Sequence, residues 1–266
     1  MVSKAESLNL KLIVPLLNGL DDLGGINTYV NNYGGSPTSF FTDKSSQTAY
    51  LAYVDFIVDR YKDSPAIFSW ELCNEPRCAN CDTSVITNWT TSVSAHIKAR
   101  DPKHLVSLGD EGWFAPPYAA PKGANTYPYQ GNNGIDFVKN LAISTIDFGT
   151  FHMYPGQFSE TDDWGNTYIR EHDQAGRNAG KPVILEEYGS TDSPKTKAMS
   201  PWQATLESTS TKIAMDFFWQ FEETLSKGFK PASDGYGIQY DTTSGSEYDV
   251  LAIQHAKAMT GKAVNR

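Results

Sequence analysis

Two glutamates, each closing an apolar run, carry the clearest chemistry in this 266-residue chain. Glu75 ends the run Ala66-Ile67-Phe68-Ser69-Trp70-Glu71-Leu72-Cys73-Asn74-Glu75 and is followed by Pro76. Glu187 ends Pro182-Val183-Ile184-Leu185-Glu186-Glu187 and is followed by Tyr188-Gly189. Between them His152-Met153-Tyr154 closes a third such run, and Trp219 closes a fourth. Two acids delivered by separate buried strands, with Asn74, His152, Tyr154 and Trp219 around them, suit cleavage of a glycosidic bond. The structural alternatives are a solvent-facing strand-end carboxylate, a hydrogen-bonded core histidine and a core tryptophan.

A retaining mechanism needs an acid/base carboxyl and a nucleophilic carboxylate about 5–5.5 Å apart. Glu75 suits the acid role, with neighbouring negative charge keeping its proton in place. Either Glu186 or Glu187 suits the nucleophile, because neighbours on a strand face opposite ways. Both faces of such a strand are buried, so parity does not choose between them. The position beside Tyr188-Gly189 at the strand's end favours Glu187. His152 and Tyr154, two residues apart, share a face, and a tyrosine hydroxyl donated to the nucleophile would hold it ionised.

These groups need elements to hold them. Apolar runs alternate with longer amphipathic ones, the rhythm of a parallel sheet wrapped by helices. Strands are expected at Leu10–Asn18, Ala66–Glu75, Leu105–Asp110, Ile146–Tyr154, Val183–Glu187 and Ile213–Phe221. Helices are expected at Asp43–Tyr61, where Tyr50, Val54 and Ile57 share a face, and at Ser84–Arg100, Trp164–Ala179, Pro201–Ser210 and Tyr248–Met259. Val2–Asn9 reads as the tail of a further helix. The candidate residues all fall at strand carboxyl ends, where (β/α)8 barrels carry their active sites. Six strand–helix units are visible, against eight in a closed barrel. No low-complexity linker interrupts the chain, so a single domain over 1–266 is expected.

Composition narrows the partners. The net charge is −9 with no basic patch, which argues against nucleic acid and anionic membrane. No run approaches the roughly 20 apolar residues of a membrane span. The 6 Trp and 14 Tyr fit a wall that stacks on sugar rings, although most aromatics in any domain are core. The five histidines, at 96, 104, 152, 172 and 255, form no ligand-spaced cluster, so no His-based metal site is expected. No Gly-x-Ser-x-Gly elbow or phosphate-binding glycine loop occurs. Of the 3 cysteines, Cys78 and Cys81 read as a short-loop disulfide in preference to a redox pair or free thiols. Asn88-Trp89-Thr90 is a glycosylation sequon, a pattern also frequent by chance.

These residues resemble glycoside hydrolase family 5, whose mark is Asn-Glu-Pro on the fourth strand and Glu-aromatic-Gly on the seventh. Within it the chain resembles the secreted fungal endo-β-1,4-mannanases, from about Ala5 to Ile253. The matching text is Trp70-Glu71-Leu72-Cys73-Asn74-Glu75-Pro76-Arg77-Cys78, Leu108-Gly109-Asp110-Glu111-Gly112, Asp147-Phe148-Gly149-Thr150-Phe151-His152-Met153-Tyr154-Pro155, Leu185-Glu186-Glu187-Tyr188-Gly189 and Phe218-Trp219-Gln220. The resemblance implies an α/β fold of (β/α)8 type and retaining hydrolysis of β-mannan, with no cofactor. It makes Glu75 the acid/base and Glu187 the nucleophile. Asn74 would bind the sugar 2-hydroxyl, and His152, Tyr154 and Trp219 would complete the central subsite. Arg77 would contact the sugar on the leaving-group side, beside a Cys78–Cys81 disulfide. Export from the cell and a monomeric state are expected on the same ground. The rivals are a β-1,4-glucanase of the same family, a non-catalytic mannan-binding remnant, and a scaffold with no sugar function.

The chain departs from that pattern twice. On the resemblance it begins inside what would be the second helix. The two strand–helix units ahead of that point, and an arginine that contacts the nucleophile, are then not in it. Sheet edges at Leu10–Asn18 and Ile213–Phe221 would be left unpaired. The usual Asn-Asn-Trp-Asp-Asp-aromatic-Gly-Gly stretch is here Asn18-Gly19-Leu20-Asp21-Asp22-Leu23-Gly24-Gly25, with leucine at both aromatic positions. A leucine offers apolar contact without a π-face. Leu20→Trp is therefore expected to lower the Michaelis constant for longer mannan chains, and an unchanged constant would remove Leu20 from the binding site.

Overall fold

The computed structural model describes residues 1–21, 24–224 and 233–262. They fall into two compact units, Met1–Pro121 with Thr126–Thr150, and Lys122–Asn125 with Phe151–Arg266. Leu23, one of the two leucines that replace an aromatic, lies outside the described residues.

The first unit contains α1 (Val2–Leu8), β1 (Leu12–Pro15), α2 (Ile26–Tyr33), α3 (Lys44–Tyr61), β2 (Ile67–Glu71), α4 (Ser84–Arg100), β3 (Leu105–Ser107) and α5 (Phe137–Leu141). Its sheet has the order β1-β2-β3, and both pairings are parallel. The central strand β2 is buried on both faces, as a strand between helix-covered surfaces must be. Asp43 caps α3 by accepting Ser46 N–H at 2.7 Å. The helix then buries Tyr50, Val54 and Val58. The i, i+4, i+8 spacing puts Val58, rather than the expected Ile57, on the inner face. Tyr50 donates its hydroxyl to Leu72 O at 2.8 Å, tying α3 to the end of β2. Burial, with nearby Cys73, pushes the Tyr50 phenol well above its ordinary range. Trp70 is fully buried and donates its indole N–H to Asp101 at 2.8 Å. Asn88 of the sequon is exposed on α4 while Thr90 is buried.

The second unit contains α6 (Asp162–Ala179), β5 (Val183–Tyr188), α7 (Thr196–Glu207), β6 (Asp216–Phe218), β7 (Phe221–Glu222), β8 (Ile238–Gln239), a π-helical turn at Asp249–Gln254, and α8 (His255–Gly261). A further strand, β4 (Gly149–Met153), opens its sheet, which has the order β4-β5-β6. Strands β5 and β6 run parallel, as do the short strands β7 and β8. Thr161 caps α6, which ends at Gly180 in the left-handed region, φ 64°. His172 on α6 stacks on Phe151 of β4 with ring centroids 4.0 Å apart, so it is a core histidine.

Several boundaries differ from expectation. Leu10–Asn18 shortens to β1, with an isolated bridge pairing Asn18 to Asn74 beyond it, and Ile213–Phe221 divides between β6 and the start of β7. The helix expected at Pro201–Ser210 begins at Thr196 and holds Pro201 inside it. Its buried stripe of Ala198, Met199, Trp202 and Leu206 runs across the proline, so packing outweighs the lost N–H. Helices α2 and α5 were not expected from the sequence pattern. Among the described residues β1 and β6 are edge strands of their sheets.

A buried polar chain closes the second unit. Gln203 donates to Tyr188 Oη at 2.9 Å, and that hydroxyl donates to Asp216 at 2.8 Å. The His255 ring lies 2.9 Å from Asp216 and 2.7 Å from Glu207. Burial alone would lower the His255 pKa, but the two carboxylates outweigh it and raise it above the ordinary 6.5. A folded-state value above the unfolded one means that folding favours the protonated ring. The stabilisation is full below pH 6.5 and is lost as pH rises through the raised folded value. Urea unfolding across that window should show stability falling with pH, and His255→Gln should flatten that part of the curve.

Candidate active site

In the first unit the end of β2 is threaded between two neighbours. Leu72 and Cys73 donate N–H to Ser107 O and Leu108 O, both at 3.0 Å. Asn74 N–H turns to Leu17 O at 2.9 Å, and Glu75 N–H returns to Gly109 O at 2.8 Å. Gly19 N–H donates to Asn74 O at 2.7 Å, and the Asn74 amide reaches Asn18 Oδ1 at 3.2 Å. Glu75 is thereby held in the left-handed region, φ 47°, which is uncommon for a glutamate. Its side chain is buried, 7% exposed.

Arg77 explains how a carboxylate is tolerated there. Its Nη2 donates to Glu75 Oε2 at 2.9 Å. The same guanidinium forks onto Glu111, with both bonds at 2.9 Å. Burial would lower the Arg77 pKa, but Glu111 first and Glu75 next raise it. Among these groups the one that bonds the Glu75 carboxylate is a cation. Next to Arg77, Cys78 forms a disulfide with Cys81, Cα atoms 5.4 Å apart. Cys78 N–H donates to Asn133 O at 2.7 Å. A Cβ on Gly134 would lie 3.2 Å from Cys78 Cβ, so that loop fits closely against the bridge.

In the second unit β4 and β5 bring His152, Tyr154, Glu186 and Glu187 together. His152 is fully buried. Its Nδ1 lies 3.7 Å from Glu187 and its Nε2 lies 3.6 Å from Glu186, ion-pair separations too long for hydrogen bonds. Tyr154 donates its hydroxyl to Glu187 Oε2 at 2.7 Å. Both Glu186 carboxylate oxygens are buried without a hydrogen bond. Of the two adjacent glutamates, Glu187 is thus the one held by the tyrosine. Trp219 is 37% exposed and donates its indole N–H to Asp234 at 2.7 Å. Its backbone N–H meets Tyr188 O at 2.8 Å.

Each unit therefore brings its own candidates together: Asn74, Glu75, Arg77, Cys78 and Cys81 in one, and His152, Tyr154, Glu187 and Trp219 in the other. Leu20 is 40% exposed, with its N–H on Asn18 Oδ1 at 3.1 Å. Sequence reasoning did not single out Glu111, Asp234 or Tyr236. For Glu111 the signal was its place in Leu108-Gly109-Asp110-Glu111, the end of an apolar run like the other acids.

A family model described as GH family 5 beta-mannosidase-like matches residues 18–240. The chain belongs to glycoside hydrolase family 5. Among its relatives is a probable mannan endo-1,4-beta-mannosidase A of Aspergillus flavus, 46% identical over 98% of this chain and 65% of that protein. The chain thus spans about two thirds of that relative's length. Among solved structures, the endo-beta-1,4-mannanase from Thermotoga petrophila superposes with a TM-score of 0.88 at 32% identity, covering 100% of this chain and 62% of that one. The endo-1,4-beta-mannanase from Rhizomucor miehei gives 0.85 at 38% identity, over 98% and 75%. Family membership carries the (β/α)8-barrel fold class to this chain.

The packing beneath Glu75 is directly testable. A Cβ on Gly19 would sit 1.9 Å from the Glu75 carbonyl oxygen. Gly19→Ala should therefore cost about 1–3 kcal/mol, as overpacking does. At roughly 2–4 °C per kcal/mol the melting temperature should fall by several degrees, and an unchanged value would mean the Glu75 backbone moves freely.

Proposed function

We propose that this chain is an endo-acting β-1,4-mannanase that works by a retaining double displacement. The observation that carries the reading is the Tyr154 hydroxyl on Glu187 at 2.7 Å. A donor held on that oxygen favours the ionised carboxylate that a nucleophile must be. In the first step Glu187 attacks the anomeric carbon while the bond to the leaving sugar breaks. Glu75 gives its proton to the leaving oxygen. In the second step Glu75 takes a proton from water, which displaces Glu187 and restores both groups. Arg77 beside Glu75 favours a carboxylate over a carboxyl, so the acid role requires Nη2 to leave Glu75 for a sugar hydroxyl when substrate binds, while the guanidinium stays anchored on Glu111.

In this reading Asn74 holds the 2-hydroxyl, Trp219 floors the central subsite, and Arg77 meets the sugar on the leaving-group side. The substrate is mannan, glucomannan or galactomannan. Similarity at 46% identity to a protein named as a mannan endo-1,4-beta-mannosidase supports mannan over glucan. Export and a monomeric state belong to the same proposal.

The test is release of reducing ends from linear β-mannan by the folded chain. Glu187→Ala should abolish it, and azide should partly restore turnover with an inverted azide product. Rescue at Glu186→Ala instead would reassign the nucleophile. Tyr154→Phe removes one hydrogen bond to a charged group, worth about 1.5–3 kcal/mol. It should cost roughly 10- to 150-fold in kcat/KM. A folded chain that binds manno-oligosaccharides but releases nothing would overturn the catalytic reading in favour of a binding remnant.

A further inference from the structure

Trp219 presents a problem that a core tryptophan does not. With 37% of its surface exposed, packing alone does not fix the plane of its indole. A sugar platform works only if that plane is set before the sugar arrives. The short parallel pair β7–β8 supplies a means. Ile238 N–H on Gln220 O and Tyr240 N–H on Glu222 O, both 2.7 Å, bring residues 233–237 back beside Trp219 and Gln220.

Asp234 then faces Trp219. Its Oδ2 accepts the indole N–H at 2.7 Å and the Gln220 amide at 3.3 Å, and its Oδ1 accepts Tyr236 N–H at 2.9 Å. Burial would raise the Asp234 pKa, but these three donors outweigh it and hold the group below its ordinary value, so it stays charged. A charged acceptor gives the stronger kind of hydrogen bond.

Two residues on, the Tyr236 ring meets Tyr154 edge to face, centroids 5.1 Å apart at 72°. Its hydroxyl accepts from Gln157 Nε2 at 2.9 Å. Gly189 lets this ring approach: a Cβ there would lie 2.9 Å from Tyr236 Cδ1 and 2.7 Å from Trp219 O. Tyr154 is the residue that donates to Glu187. Between Asp234 and Tyr236 sits Gly235 at φ +89°, a conformation side chains rarely adopt.

We propose that Asp234-Gly235-Tyr236 is a positioning segment for the sugar site. Asp234 sets the plane of the Trp219 platform, and Tyr236 braces Tyr154 in line with Glu187. Neither residue touches the reacting atoms. The proposal rests on the reading of Trp219 and Glu187 given above. A loop-closing Asp-Gly turn with no bearing on sugar is the alternative, and it predicts variants that differ from the parent only in stability.

The experiment is a double-mutant cycle read by mannohexaose hydrolysis, with calorimetric binding of the same sugar. Asp234→Ala should raise KM and the dissociation constant about tenfold, the size of one hydrogen bond to a charged group, with kcat within about twofold. Asp234→Asn keeps a carbonyl acceptor for the indole and should recover most of that loss. Trp219→Phe removes the donor, so adding Asp234→Ala to it should change nothing further. Tyr236→Ala should instead lower kcat with little change in KM, and Tyr236→Phe should behave as the parent. A folded Asp234→Ala protein with parental KM would overturn the proposal, as would equal losses in the Asn and Ala variants or additive losses in the cycle. A parent chain that neither binds nor cleaves the sugar would overturn the underlying reading instead, which separates the two failures.

Discussion

Parallel pairing is the constraint from which the rest follows. In β1–β2–β3 and in β5–β6 the strands point the same way, so each sheet gathers its carboxyl ends on one side. Helices cover the faces of such sheets, and the strand interiors must then be apolar: Ile67, Trp70, Val183, Ile184 and Leu185 are all buried. Polar groups are left the strand ends. There Asn74 and Glu75 emerge in one unit, and Tyr154, Glu187 and Trp219 in the other. The pleat of a parallel sheet runs out at these ends, where backbone bonds alternate from one neighbour to the other, as Asn74 to Leu17 and Glu75 to Gly109 do.

Holding a carboxylate at such an end has a conformational cost. The left-handed backbone at Glu75 costs on the order of 1–2 kcal/mol for a residue with a Cβ. It is offset by the backbone bonds on either side and by Arg77, whose fork onto Glu111 anchors the cation first. Gly19 is a glycine because the Asn74 and Glu75 backbone crowds it, and Gly109 because the Cys73 carbonyl and the Glu71 side chain do. The second unit meets the same difficulty differently. Glu187 takes a neutral phenol donor, and its neighbour Glu186, whose carboxylate oxygens are buried, lies 3.6 Å from the imidazole of His152.

Much of this was legible in the sequence. The apolar runs ending in Asn74-Glu75, His152-Met153-Tyr154 and Glu186-Glu187 placed the strand ends, because a parallel strand must be apolar until it leaves the sheet. The Cys78–Cys81 spacing favoured a short-loop bridge over free thiols, and the family resemblance implied the same pairing. Long helices with a clear stripe, α3, α4 and α6, were placed within two residues of their bounds. Short α2 and α5 were not, since eight and five residues give too few turns for a periodic signal. Nor was Asp234 visible. It lies 15 residues beyond Trp219, and only the β7–β8 pairing, two residues long on each side, brings it back. The strand-end position favoured Glu187 over Glu186, while the hydroxyl that Tyr154 places on Glu187 is read from the structure.

Cys73 gives this arrangement a chemical handle. Its thiol is fully buried, with Sγ 3.3 Å from Asn74 O, and lies one residue before the Asn74-Glu75 pair. Burial, then the charges of Glu71 and Glu75, push it well above the usual thiol range, so it is neither accessible nor ionised in the folded chain. The other two cysteines are tied to each other. A maleimide or aromatic disulfide added to the native protein therefore finds no ready target. Its rate of reaction becomes a stopwatch for the transient opening of the strand end that carries Glu75, timed at Cys73 in a molecule that needs no engineered label.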